Sequence, residues 1–197
     1  MQTKQLTHAV GPLWEKATSL YYEVFPQWER EPIAEIERAI NSGQSRCILL
    51  YKNDQVLGMS LTELYPSLSF ALLGYLFIAP SHQGQGLGKM LCNELFDFFD
   101  SHPDFKWLLV EAESEPEGFY EQLGFFRLNF EYLSPHYDDM QSTPMALMCY
   151  FKFEQNQLSE YQACDIVEHI FLQSYYLKPN DPRLKIQRQR ILSKEAL

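Results

Sequence analysis

Apolar residues change their period several times along the chain, and each change marks an element. Between residues 11 and 24, Leu13, Ala17, Leu20, Tyr21 and Val24 recur at helical spacing. Phe25-Pro26 ends that run, because a residue before proline is driven out of the helical region. A second helix is predicted from about Pro32 to Asn41, with proline in its first turn, Ile33, Ile36 and Ile40 as its apolar face and Ser42-Gly43 as its stop. From Arg46 the period becomes that of strands. Cys47 to Tyr51, a polar turn Lys52-Asn53-Asp54-Gln55 and Val56 to Leu64 read as a hairpin. Tyr65-Pro66-Ser67 turns the chain again, and Ser69 to Ala79 is almost continuously apolar, as a strand buried on both faces would be.

A glycine-rich loop, Pro80-Ser81-His82-Gln83-Gly84-Gln85-Gly86-Leu87-Gly88, then leads into a helix over Lys89 to Phe99, striped by Leu91, Leu95, Phe96 and Phe99. Further on, the pattern predicts a strand from Trp107 to Glu113, a short helix around Gly118 to Leu123, a strand from Phe125 to Tyr132 and a last strand from Met145 to Phe153. The order is that of a mixed α/β domain. A long helix is expected from Ser159 to Leu177, with Tyr161, Cys164, Ile166, Val167, Ile170, Phe171 and Tyr175 as apolar positions and Pro179-Asn180-Asp181-Pro182 as its break. The basic run Arg183 to Lys194 reads as a solvated or partner-facing helix. The stripe of the long helix must bury against something, either one edge of the sheet or a second copy of the chain in a homodimer.

Charge narrows the function classes. With 16 basic against 26 acidic residues, the net charge of -10 repels a phosphate backbone, so nucleic acid is not an expected partner. Apolar residues make up 46% of the 197, enough for a sizeable core and too much for wholesale disorder. Cys47, Cys92, Cys149 and Cys164 are far apart in sequence and form no Cys/His set with zinc spacing, so free thiols and no metal are expected. The start Met1 to His8 lacks an apolar core, and Phe70 to Ala79 is about half the roughly 20 residues that a membrane helix needs. The expectation is a cytoplasmic protein with no membrane association.

Backbone amides of a glycine loop can hold a phosphate group in several ways, and spacing separates them. The dinucleotide pattern G-x-G-x-x-G fails, since Lys89 stands where the third glycine belongs. A Walker loop fails as well, because Gly88-Lys89 is followed by Met90 and position 83 is Gln. Gln83-x-x-Gly86-x-Gly88, after the strand ending Leu76-Phe77-Ile78-Ala79-Pro80 and before an amphipathic helix, resembles motif A of the GNAT superfamily of acyl-CoA-dependent N-acetyltransferases. Gly118-Phe119-Tyr120-Glu121-Gln122-Leu123-Gly124-Phe125 resembles motif B of the same superfamily, in the right order and at the right distance. The resemblance spans about residues 1 to 153, and 154 to 197 form a C-terminal helical extension outside it. It implies a GNAT-like α/β fold: a mixed, mainly antiparallel central sheet flanked by helices.

The resemblance also implies the chemistry. Acetyl-CoA is the co-substrate, and an unprotonated amine of a small molecule or a peptide attacks the thioester directly through a tetrahedral oxyanion, with no covalent enzyme intermediate. Phe77, Ile78, Gln83, Gly84, Gln85, Gly86, Leu87, Gly88 and Lys89 are the positions that would bind the cofactor, the Ile78 amide facing the acyl carbonyl. Tyr120 is the general acid for the departing thiolate; a phenol with a pKa near ~10 still carries its proton at neutral pH. The family's usual base, a Glu four residues before the carbonyl-binding position, is replaced by Gly74. Glu63, Glu111 and Glu113 are substitutes by position, each as base or as an amine-orienting carboxylate. An acidic loop, Glu113-Ser114-Glu115-Pro116-Glu117-Gly118, stands where many members carry Asn, which favours a cationic acceptor. His82, beside the glycines, and His136-Tyr137-Asp138-Asp139, expected to flank an acceptor pocket, complete the candidates. Two rival readings stay open: a non-catalytic acyl-CoA-binding sensor or assembly module, suggested by Gly74, and an acyltransferase with a longer acyl donor.

Overall fold

The computed structural model describes residues 1–193, so Lys194 of the basic run lies outside the described residues. The chain divides into two compact units, Met1–Phe105 and Lys106–Leu197.

In the first unit, β1 (Gln2–Leu6), β2 (Ser45–Lys52), β3 (Gln55–Tyr65) and β4 (Phe70–Ile78) pair antiparallel in chain order. The hairpin turn is as predicted, with Asn53 and Asp54 at positive φ, the conformation that a two-residue hairpin requires. Alternating residues serve two cores. Cys47, Leu49, Met59 and Leu61 face α1 (Pro12–Val24) and α2 (Ile33–Ser42) together with Trp14, Tyr21, Ile36 and Ile40. Ile48, Leu50, Leu57 and Ile78 pack with Leu87 and Leu91 of α3 (Leu87–Ser101). Burial on both faces explains why β2 to β4 read as runs of apolar residues without alternation.

The second unit holds β5 (Trp107–Ala112), α4 (Ser114–Gln122), β6 (Phe126–Arg127), β7 (Tyr132–Pro135), β8 (Ser142–Tyr150), α5 (Glu160–Gln173) and α6 (Pro182–Leu192). β8 pairs antiparallel with β5, β6 and β7. Four expectations need correction. The predicted strand over 125–132 is broken, because Phe130 N–H bonds to Leu128 O in a tight turn that takes the chain off the ladder between β6 and β7. The acidic span after β5 is helix, not loop. Glu113 is the N-cap of α4, with Glu115 and Glu117 in the first turn, where the helix dipole favours negative charge and Pro116 is tolerated. The long helix stops at Gln173. Tyr176 adopts φ 56°, the Tyr175 amide reaches back to Ile170 O in a six-to-one closure and the Leu177 amide to Phe171 O; Tyr161, at its start, is exposed instead of apolar stripe. The basic helix is not simply solvated, since Gln187 and Ile191 are buried.

Ile166, Val167, Ile170 and Phe171 of α5 are buried, Phe171 against Tyr132 of β7. α6 seals the same strand. Gln187 Oε1 accepts from Leu133 N–H at 3.0 Å and its Nε2 donates to Glu131 O at 2.9 Å, so a side-chain amide pairs with β7 as a strand would. Among the described residues no helix is long and apolar enough to cross a membrane.

Candidate functional site

Two features of the first unit lie close together on β3, β4 and the loop that follows. At its C-terminal end β4 is locked to β3 by the Ala79 amide, which donates to Leu57 O at 2.7 Å. The neighbouring pair, Gly58 and Ile78, is therefore a non-hydrogen-bonded pair whose amides and carbonyls point away from each other. Ile78 N–H thus leaves β4 on the side opposite β3. The Ile78 carbonyl points the same way and accepts from Gln83 Nε2 at 3.2 Å, so the motif glutamine ties the loop back to the strand.

Past Gln83 the loop needs left-handed backbone at two positions, Gly84 (φ 71°) and Gly86 (φ 76°). Gly86 is the N-cap of α3 and has no side chain to bond the first amides of the helix. The Leu87, Gly88 and Lys89 amides have no acceptor within the helix, and they sit where the dipole is positive. Leu87 is buried against Leu91 and pins the helix start, whereas Gln85 and Lys89 are exposed. Such an end accommodates a phosphate or pyrophosphate. The His82 ring lies 2.9 Å from the Oγ of its neighbour Ser81.

The second feature is a bulge. Leu61 pairs with Tyr75 and Thr62 with Leu73, leaving Gly74 as the extra residue of β4. A Cβ at Gly74 would sit 3.0 Å from Glu63 Oε1, closer than ordinary contact. The carboxylate that the family motif leads one to seek at position 74 is absent there, and the Glu63 carboxylate on β3 stands over the gap. The Tyr65 hydroxyl donates to Glu63 Oε2, and the Tyr65 ring stacks on Phe70, 4.7 Å between centroids and 30° between planes.

In the second unit Glu111 has a different setting. Its Oε1 accepts from Tyr132 OH at 2.5 Å and its Oε2 from Tyr175 OH at 2.8 Å; Tyr175 in turn lies 2.6 Å from Ser134 Oγ. Burial, and next the Glu111 charge, push the Tyr132 phenol well above its ordinary pKa, so it remains a donor. Glu113 is exposed at the N-cap of α4. Tyr120 is buried in α4, edge-on to Phe119 and Phe125, with its carbonyl accepting the Phe125 amide at 3.1 Å across the turn at Gly124. His136 lies 3.0 Å from Asp139 Oδ1 and 2.9 Å from Thr143 Oγ1, closing the loop before β8, and Tyr137 stacks on Tyr175.

Sequence reasoning missed Tyr65. The signal was present, since Glu63 and Tyr65 share a strand face at i and i+2, yet nothing in one sequence says that β3 lends its side chain to a gap in β4.

A family model described as an acetyltransferase (GNAT) domain matches residues 15–147, more than half of the chain. No curated protein matches the sequence significantly. Among solved structures, an acetyltransferase described as putative, of the GNAT family, from Bacteroides thetaiotaomicron superposes with a TM-score of 0.72 at 18% identity, covering 90% of this chain and all of that one. An aminoglycoside 6'-N-acetyltransferase complexed with coenzyme A gives 0.63 at 15% identity, covering 77% of this chain and 97% of its own. GCN5 from Tetrahymena gives 0.57 at 19% identity with the same coverage. Likenesses at these identities establish the fold: a mixed, mainly antiparallel sheet with helices, carrying α5 and α6 at its C-terminal end.

Proposed function

Since the chain belongs to the GNAT acetyltransferase family, we propose that it moves the acetyl group of acetyl-CoA directly to an amine acceptor, with Glu63 as the proton acceptor. The observation that carries the residue assignment is the carboxylate of Glu63 over Gly74. Acetyl-CoA, when bound, supplies an acetyl group activated as a thioester. The Gly84 to Lys89 backbone fits its phosphates, because two left-handed glycines and an uncapped helix start turn amides outward. Ile78 N–H donates to the acyl carbonyl where negative charge develops. Glu63 takes the proton of the attacking amine, and the Tyr120 phenol gives one to the thiolate.

In this reading Gly74 does not favour a binding module without turnover, because Glu63 Oε1 on β3 lies 3.0 Å from where a Cβ at Gly74 would stand. The net charge of -10 supports a cationic acceptor, a small amine or a basic peptide.

Calorimetric titration tests the cofactor class, with acetyl-CoA and CoA against ATP. Both CoA forms are expected to bind in the micromolar range with no response to ATP. Gly86→Glu, which puts an L side chain at φ 76° and a carboxylate among the amides, is expected to weaken binding by at least about tenfold. Unchanged affinity in that variant sinks the assignment of the loop. Tyr120→Phe keeps the packing against Phe119 and Phe125 and is expected to lower kcat by roughly tenfold or more with acetyl-CoA affinity preserved. An unaltered kcat removes the acid role and leaves Tyr120 as packing.

A further inference from the structure

We infer that Tyr65 is a positioning residue: its hydroxyl holds one oxygen of Glu63 so that the other is presented over the gap left by Gly74. The inference rests on the reading of Glu63 as proton acceptor and adds the residues that make a carboxylate on β3 serve a site on β4.

A Glu side chain has several rotamers, and a carboxylate near the end of β3 would spend much of its time in solvent unless something held it. Tyr65, Phe70 and Gly74 each bear on its position. Tyr65, two residues along the same face, donates to Oε2. Phe70, directly opposite Tyr65 in the ladder, stacks on the phenol and fixes where its hydroxyl points. Gly74, the bulge residue, leaves out the side chain that would otherwise come within 3.0 Å of Oε1. The two oxygens differ in place: Oε2 accepts from Tyr65, and Oε1 lies at the Gly74 gap, where the proposal has it take the proton from the amine nitrogen.

Donation by a phenol favours the charged form of a carboxylate, so the Tyr65 hydroxyl can act on the ionisation of its partner as well as on its orientation. Removing the hydroxyl alone therefore has two separable effects. In Tyr65→Phe the stack on Phe70 is retained and the fold is expected to be unchanged. Carbon-13 labelling of glutamate lets the Glu63 carboxyl be titrated in the full chain without knowledge of the natural acceptor. Its midpoint is expected to move to higher pH in the variant. Rates are read as CoA thiol release from acetyl-CoA, with spermidine, tyramine and benzylamine as amine probes. There kcat is expected to fall about tenfold, the worth of one charge-assisted hydrogen bond, with the acid limb of the profile displaced the same way and acetyl-CoA affinity unchanged.

On a Glu63→Gln background the Tyr65→Phe change is expected to cost nothing further, because Tyr65 acts only through that carboxylate. A titration midpoint and kcat unmoved by Tyr65→Phe, beside a Glu63→Gln variant that is severely impaired, overturns the positioning role and leaves the base assignment standing. A Glu63→Gln variant with full kcat overturns the base assignment itself, and the positioning role falls with it. A loss in Tyr65→Phe that persists undiminished on the Glu63→Gln background assigns Tyr65 a structural role and also overturns the inference.

Discussion

Glu63→Gln is expected to lower kcat by about 10²- to 10⁴-fold, the usual span for losing a positioned general base, while acetyl-CoA binds as it does to the unaltered chain. The amide keeps the shape of the side chain and can still take the Tyr65 hydroxyl as a donor to its oxygen, so the variant isolates proton acceptance from packing. Binding is expected to be spared because the amides proposed to hold the phosphates belong to the start of α3, beyond the C-terminal end of β4, whereas Glu63 sits over the bulge at Gly74. A carboxylate exchange makes the test sharper. Adding Gly74→Glu to a Glu63→Ala chain returns a carboxylate to the same gap from β4 and is expected to recover part of the lost rate. Gly74→Glu alone brings two carboxylates into one small space, where both cannot stay ionised at low cost, and is expected to impair the enzyme. A Glu63→Gln variant with unchanged kcat, or an exchange variant no better than Glu63→Ala, removes Glu63 from the chemistry.

That assignment marks where sequence reasoning stopped. The glycine loop was legible as a strand-to-helix turn because glycine spacing is a local signal; the helix expected from Lys89 begins two residues earlier, at Leu87, and Gly84 and Gly86 take positive φ. The hairpin and the first two helices were legible for the same local reason, through turn residues and stops such as Asn53-Asp54 and Gly43. Glu63, Glu111 and Glu113 could not be ranked from sequence, because what separates them is non-local. One stands over a bulge two strands in, another is tied by phenols from β7 and from just past α5, and the third caps a helix. Strand boundaries failed where a tight turn at Leu128 to Phe130 interrupts an apolar run, since the hydrophobic pattern continues although the ladder does not.

A chain ending at Phe153 is expected to lose the cooperative folding of the segment from Lys106 onward. Without α5 and α6 the second unit loses Ile166, Val167, Ile170 and Phe171, all at most 2% exposed. At about 1.5–3 kcal/mol for each such side chain, their removal approaches the whole stability of an ordinary domain, about 5–15 kcal/mol. Polar losses compound this. Glu111 would keep Tyr132 but lose Tyr175, and β7 would lose the Gln187 amide that pairs with Glu131 and Leu133, leaving an exposed strand edge prone to association. Phe171 of α5 packs on Tyr132 of β7, so truncation is expected to read out as unfolding and aggregation. Near-ultraviolet circular dichroism and thermal melting of the shortened chain check this, since Trp107, Tyr120 and Tyr132 report on that unit. A soluble shortened chain with the full-length melting profile would mean that the extension is an appendage after all, and that residues 106 to 153 are stabilised by contacts other than those of α5 and α6.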